Sequence, residues 1–426
     1  MTVFYGIMDH PRPSSNKRRR ITRKPPAACT LPDDLVISEI LPRLPAKCLM
    51  RFKSVCRVWR AAMAEPGFAL RHREHHRLPR GVPPPVLVMP RKSSIDEEEE
   101  EDELSKDVSF HRLRLGPPTS ADAIDEEELM MKKSFVVNHS THEQAAAMTN
   151  AIFPTHCDGL VAIATAGDQV FVCNPATHEF VALPPGTPDA RESRTEPASV
   201  AALGFNPHTK RYVVARYFYR RDDEDGTCVD IGHELFTLGG GGDDDSSWSW
   251  ELTEDPPLPI VPSRPVCIGG ALYWVSTNNK LLKFSLSDNK FAVIPLPPAT
   301  SYHYTLASLT DLDGNLCYVH TASATVFDVW QLVDDGGGMS WSPRCRIDTL
   351  DEGLGFDAFL PVWAGEGRML VAVDYEKLYW CYEKSGRLEE AVDLEVDVDL
   401  GREDGELYLH HVVPYVESLI SIRSCK

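Results

Sequence analysis

Two stretches of this 426-residue chain carry residue types that could hold a metal. Asp311-Leu312-Asp313-Gly314-Asn315 opens like a calcium loop, whose oxygen ligands close on a bidentate Glu at the twelfth position. That position is Ala322 here, so the run reads better as a Gly-containing hairpin turn. His72, His75 and His76 could meet on one helical face and share a metal. Arg71, Arg73 and Arg77 surround them, and a basic, solvated helix end is the simpler reading. GxSxG, the Walker A loop, a GxGxxG at a strand–helix junction and HExxH are all missing. The 63 acidic residues offer many accidental carboxylate pairs, so glycoside hydrolysis has no residues to assign. No catalytic residue, metal site or cofactor is expected.

The most pronounced chemistry is apolar and lies in Leu31 to Phe68. Asp33 and Asp34 suit the first turn of a helix, where negative charge complements the dipole. Pro42 ends or bends that helix near Leu41, and Pro45 restarts the chain at a turn. The spacing then predicts one helix that places Leu49, Phe52, Val55, Cys56, Trp59 and Met63 within an arc of roughly 120°. Arg51, Lys53, Arg57 and Arg60 fall outside it. A fragment near ~40 residues rarely buries enough surface to be stable alone, so a partner surface is expected to complete this core.

On Leu31-Pro32, Glu39-Ile40-Leu41, Arg43-Leu44-Pro45, Leu49, Arg51-Phe52, Val55-Cys56, Trp59 and Pro66 the segment resembles an F-box, the motif by which substrate receptors dock on the Skp-type linker of SCF ubiquitin ligases. Pro42 and Cys48 depart from that pattern without removing an apolar anchor. The resemblance implies linker contact by Leu31, Pro32, Ile40, Leu44, Pro45, Leu49, Phe52, Val55 and Trp59, some of which must also pack inside the module.

Charge divides the chain. The total is −19, but residues 1–30 carry +6 and residues 31–80 carry +5, so the other 346 residues hold −30. A body this acidic repels phosphate backbones, which argues against nucleic acid as its ligand. Residues 1–28 have no hydrophobic period and predict a disordered basic tail. Within it Lys17, Arg18, Arg19, Arg20, Arg23 and Lys24 are either an import signal for the nucleus or a solubilising run. The start lacks the apolar core of a secretory signal, no apolar run approaches ~18 residues, and the eleven cysteines include no CxxC pair. An intracellular protein of the cytoplasm or nucleus is expected, with no membrane partner.

After a linker at 76–83, residues 84–426 change period. Short β-branched and aromatic runs, separated by turns, include GLVAIA (159–164), QVFVC (169–173), ALYWVS (271–276) and LYWCY (378–382). NPATHEFVALPP (174–185), NPHTKRYVV (206–214) and LSDNKFAVIPLPP (286–298) repeat one design, a polar turn leading into a strand. Recurrent hairpins without long helices predict a large all-β domain, a closed β-propeller-like array. Val412 to Ile422 is expected to pair with an early strand such as PVLVMP and close the ring. Two acidic tracts, Asp96–Glu103 and Asp122–Glu128, are expected as solvated loop insertions near 93–107 and 119–130, with a third loop at Gly239–Asp245.

Cys157-Asp158-Gly159-Leu160, Asn174-Pro175-Ala176-Thr177, Leu203 to Pro207, Gly270 to Trp274, Leu316-Cys317 and Tyr415 to Leu419 make this region similar to the F-box-associated domain of plant F-box proteins. The two resemblances divide the chain into an F-box at 29–75 and an F-box-associated domain at 84–426. They imply a non-catalytic substrate receptor: the F-box joins a Skp-type linker and its cullin–RING core, and the β domain holds an unidentified target protein. An F-box scaffold outside a ligase and an enzyme on a propeller fold are the rival readings.

Overall fold

The computed structural model describes residues 31–76, 81–92, 107–116, 123–134, 154–164, 169–187, 201–222, 228–239, 248–261, 263–276, 280–297, 308–323, 325–334, 336, 338–349, 358–400 and 408–423. The basic tail, the first acidic tract and most of the Gly239–Asp245 loop lie outside these residues.

Among the described residues, six four-stranded antiparallel sheets form a six-bladed β-propeller. Blades 2 to 6 are each a continuous run of four strands, beginning at Thr155–Cys157, Ala202–Asn206, Val266–Ile268, Ser308–Leu312 and Phe359–Gly365. Blade 1 takes three strands from the start of the domain, Val86–Lys92, Asp107–Leu115 and Ile124–Ser134. Its fourth, Tyr408–Pro414, comes from the end of the chain. Tyr408–Pro414 and Val86–Lys92 pair along their whole length, Val86 opposite Pro414 and Lys92 opposite Tyr408. The closing strand thus begins earlier than the apolar run suggests, and it stops at Pro414. Tyr415 N–H still reaches the Pro85 carbonyl (2.8 Å), and the chain then leaves the sheet.

Alternating apolar residues on each strand fill the six seams between blades. Val172 and Val214 meet Phe236 between blades 2 and 3, Trp274 and Phe284 pack between blades 3 and 4, and Phe327 stacks on Phe359 between blades 5 and 6. The Asn-Pro repeats clamp neighbouring segments. Asn174 Oδ1 accepts from Ala176 N–H (3.1 Å), while its amide donates to the carbonyls of Ser418 (3.0 Å) and Ile420 (2.8 Å). Asn206 does the same with His208 N–H and the Leu286 carbonyl. Each buried Asn spends both ends of its amide, one making the turn and one joining the next element.

One expectation about this domain fails. Asp122–Glu128 is largely a strand, because Ile124–Ser134 forms the outer edge of blade 1. Alternation in a strand separates like charges onto two faces. Glu126 and Glu128 then share a face with Arg112 of the neighbouring strand, which pairs with both at 2.7 Å.

Candidate functional site

The helical module precedes the propeller. An α turn Asp33–Leu35 (α1) runs through a wider π stretch, Val36–Ile40, and a 3₁₀ turn, Leu41–Arg43, into three helices: Ala46–Phe52 (α2), Arg57–Ala64 (α3) and Pro66–His75 (α4). The single amphipathic helix expected through Leu49 and Met63 is therefore two. Ser54 Oγ donates to the Arg51 carbonyl (2.7 Å) and Arg60 Nε to the Lys53 carbonyl (2.6 Å), so side chains satisfy the end of α2. Cys56 is extended (φ −134°) at the start of α3.

That break decides which face each apolar residue takes. Leu41, Ala46, Leu49, Met63 and Phe68 are buried in one cluster with Leu87, Met89, Phe110, Val161, Tyr415 and Leu419 of the propeller. The module thus caps the seam between blades 1 and 2, and shares its core. Polar contacts fix the same interface. Glu417, in the segment after the closing strand, accepts from Ala46 N–H at the first residue of α2 (2.8 Å) and pairs with Arg112. This carboxylate caps a helix that has no side-chain cap of its own. Lys47 pairs with Glu128. Arg73 of α4 pairs with Asp158, which accepts from Tyr212 Oη (2.8 Å), and the guanidinium lies over the Phe205 ring.

His72 is no part of a solvated helix end. It is fully buried, and its Nε2 donates to the Leu44 carbonyl (2.9 Å), which His76 Nε2 also approaches (3.2 Å). Burial first, and then the neighbouring His76, lowers the His72 pKa to about 4. The pair ties α4 to the turn before α2. Among the described residues no three His, Cys, Asp or Glu side chains are grouped to hold a metal. Asp311–Asn315 is a hairpin turn: Asp311 Oδ1 accepts from Gly314 N–H (2.8 Å), and Asp313 and Gly314 both have positive φ.

The opposite face of the module is open. Of the nine residues expected to contact the linker, Leu31, Pro32, Ile40, Pro45 and Val55 are exposed; Leu44, Phe52 and Trp59 are half-buried; Leu49 is fully buried. Val55 keeps 71% of its surface and Leu31 keeps 59%. Phe52 and Trp59 meet edge to face (5.8 Å) and hold α2 against α3. Leu35 and Val58 were not among the nine and are also exposed, Val58 at 53%. Recognising the turn at Ser54–Cys56 would have found Val58, because it rotates α3 relative to α2. The module can therefore offer a solvated apolar face whose supporting core is sealed by the propeller.

Residues 120–348 match the family described as the F-box associated beta propeller domain. The chain is similar to an F-box protein of Arabidopsis thaliana, 25% identical over 355 residues that cover 78% of this chain and 76% of the relative. It is also similar to an F-box/kelch-repeat protein of the same plant, 24% identical over 397 residues, covering 89% of this chain and 94% of the relative. A solved structure of a Bacteroides thetaiotaomicron protein of unknown function shares 9% identity over 71% of this chain and 78% of that one, with a TM-score of 0.36. No described helix is long and apolar enough to cross a membrane.

Proposed function

The chain belongs to the plant F-box proteins that carry an F-box-associated β-propeller domain, and from that membership we propose that it is the substrate-recognition subunit of an SCF-type cullin–RING ubiquitin ligase. The helical module, Asp33 to His75, is the F-box, and its exposed face docks on a Skp-type linker protein. Leu31, Pro32, Ile40, Pro45 and Val55 make that contact together with Leu35 and Val58; Leu44, Phe52 and Trp59 support it from the edge. Leu49 supports it from inside. The observation that carries the reading is the division of the module into a sealed inner face and an apolar outer face. Apolar side chains left in water at this density mark a site of association.

The chain then acts without catalytic residues of its own. A target protein held by the propeller is tethered near the charged ubiquitin carrier, and tethering raises the effective concentration of its lysines. Because the module shares a core with blades 1 and 2, the target is presented at a fixed orientation to the linker. The experiment is to titrate the full chain with a purified Skp-type linker and to test co-purification of cullin. Val55→Asp with Val58→Asp places two charges in the contact and should weaken linker binding by over about a hundredfold, the equivalent of ~3 kcal/mol. Unchanged linker binding by a folded double variant would refute the assignment of this face.

A further inference from the structure

A cavity of about 380 Å³ lies among the innermost strands of the propeller. Its walls include Arg264, His156, Trp363 and Thr310, and Asp311 and Asp313 stand in the turn at one side. Arg264, half-buried, is the arginine of this lining. Its Nη1 donates to the Val412 carbonyl at 3.3 Å, its Nε is sealed from water without a partner, and no described carboxylate lies in ion-pair range of it. The groups that feel its charge are the phenol of Tyr375 and the imidazoles of His156 and His411, and burial keeps both imidazoles neutral.

Two other arginines of the propeller are held differently. Arg216, fully buried between strands of blade 3, pairs with buried Glu234 at 2.6 Å. Arg112 is held by Glu126, Glu128 and Glu417. With 63 acidic side chains available, the chain could have supplied Arg264 with one. A half-buried charge without a counter-ion still loses part of its hydration, and such a cost is retained where a ligand supplies the missing charge. Planar guanidinium is the side chain best matched to the paired oxygens of a carboxylate or phosphate.

We propose that the axial cavity binds a small organic oxyanion, a carboxylate or a phosphate monoester, whose oxygens pair with the Nη2 end of the Arg264 guanidinium, the end not sealed from the cavity, while its body packs along Trp363. The volume lies at the lower end of the range that encloses small ligands. Such a ligand would sit at the axis, where it touches the inner strands of several blades, and would tighten the ring that holds the target.

The test is calorimetric titration and thermal melting of the full chain with three probes at low ionic strength: inorganic phosphate, phenyl phosphate and benzoate, with chloride as the control. Saturable binding with a rise in Tm by either class of probe supports the proposal, and the class that binds names the ligand chemistry. Arg264→Met should abolish binding, whereas Arg114→Met, on an exposed and ion-paired arginine, should leave it intact. Arg264→Lys keeps the charge without the fork and should bind at least about tenfold more weakly. Without ligand, Arg264→Met should melt at the wild-type temperature or above, since it removes an uncompensated charge. A lower melting temperature would show that Arg264 is structural and overturn the proposal. So would saturable binding that survives in Arg264→Met, or no binding of any probe. The measurement needs no linker protein, so its failure leaves the ligase reading standing.

Discussion

Toward the propeller, the helical module buries Leu41, Leu49, Met63 and Phe68 and fixes itself with Glu417, Arg73 and Lys47; toward solvent it leaves Leu31, Leu35, Ile40, Val55 and Val58 uncovered. The inner face has polar contacts at its margin and apolar contacts at its centre, as in a protein interior. The outer face has apolar side chains that keep 39% (Ile40) to 71% (Val55) of their surface open to solvent. The difference teaches that a helical segment of this length need not be a domain. It has too little surface to fold by itself, and it borrows a wall from the propeller so that another face can stay unsatisfied. The boundary drawn in the sequence at 76–83 is a boundary of period, and energetically the module belongs to the seam between blades 1 and 2.

The hardest test of that coupling is removal of residues 408–426. The deletion takes away the closing strand, exposes the edge of Val86–Lys92, and removes Glu417, Tyr415 and Leu419 from beneath the module. Both the β signal and the helical signal in circular dichroism should lose their cooperative transition. Retention of a helical transition after the propeller has opened would break the comparison, because the module would then be stable alone.

Phe68→Ala should come next. Its ring is fully buried in the shared cluster, and truncations of this kind cost about 3–5 kcal/mol. Against a total stability of about 5–15 kcal/mol that loss is severe. Scanning calorimetry should show one transition at lower temperature, covering helices and strands together. Two separated transitions would mean that the seam and the module unfold independently.

The sequence displays the propeller well and the module less so. Strands such as Ala271–Ser276 and Lys377–Tyr382 announce themselves because alternation and turns are local properties. The Asn-Pro turns are local too, though nothing in them foretells that Asn174 reaches the carbonyls of Ser418 and Ile420, about 245 residues away. Leu-Pro and Val-Cys-x-x-Trp mark the module, but a helical wheel assumes an unbroken helix, and the break at Ser54–Cys56 turned Val58 outward. His72 looks solvated among arginines because the Leu44 carbonyl it meets lies 28 residues earlier in the chain. The acid run from Asp125 to Glu128 looks like a loop until Arg112 stands beside it. Gly159 is the opposite case. Its φ is +84°, and a Cβ there would come within 2.2 Å of the Val416 carbonyl, so Cys157-Asp158-Gly159 has a steric reason for its glycine. Arg264 gave no signal at all, since a single arginine between Ser263 and Pro265 has no period or spacing to read.

A smaller effect separates the faces by pH. His72 titrates near 4 in the fold and near 6.5 when unfolded. Above 6.5 neither state is protonated and its contribution is complete. As pH falls from 6.5 toward 4, the unfolded chain takes up the proton first, so stability is lost in that window, by roughly 1–2 kcal/mol at pH 5. His111 and His156 in the propeller are also lowered to about 4, burial being the main cause in both, and add to the same slope. His72→Gln should therefore lower Tm at pH 7.5 yet show a smaller further drop at pH 5 than the wild type. An identical drop in both proteins would mean that His72 is not sealed by the module.

The smallest expected effect on stability tests the outer face. Val55→Ser and Val58→Ser remove apolar surface that is already in water, so the folded and unfolded chains lose nearly the same hydration cost. Exposed substitutions away from caps and networks usually change stability by less than about 0.5 kcal/mol. The double variant should melt within a degree or two of the wild type, since ~1 kcal/mol moves Tm by only about 2–4 °C even in domains of 150–250 residues. Linker binding in the same protein should fall, because serine supplies none of the apolar contact that valine offers a partner. That pairing of results separates the faces: Phe68→Ala costs stability, and the valines cost association. A fall in Tm comparable to that of Phe68→Ala would show that Val55 and Val58 already pack within the chain, and the free face would then have to be sought elsewhere on the module.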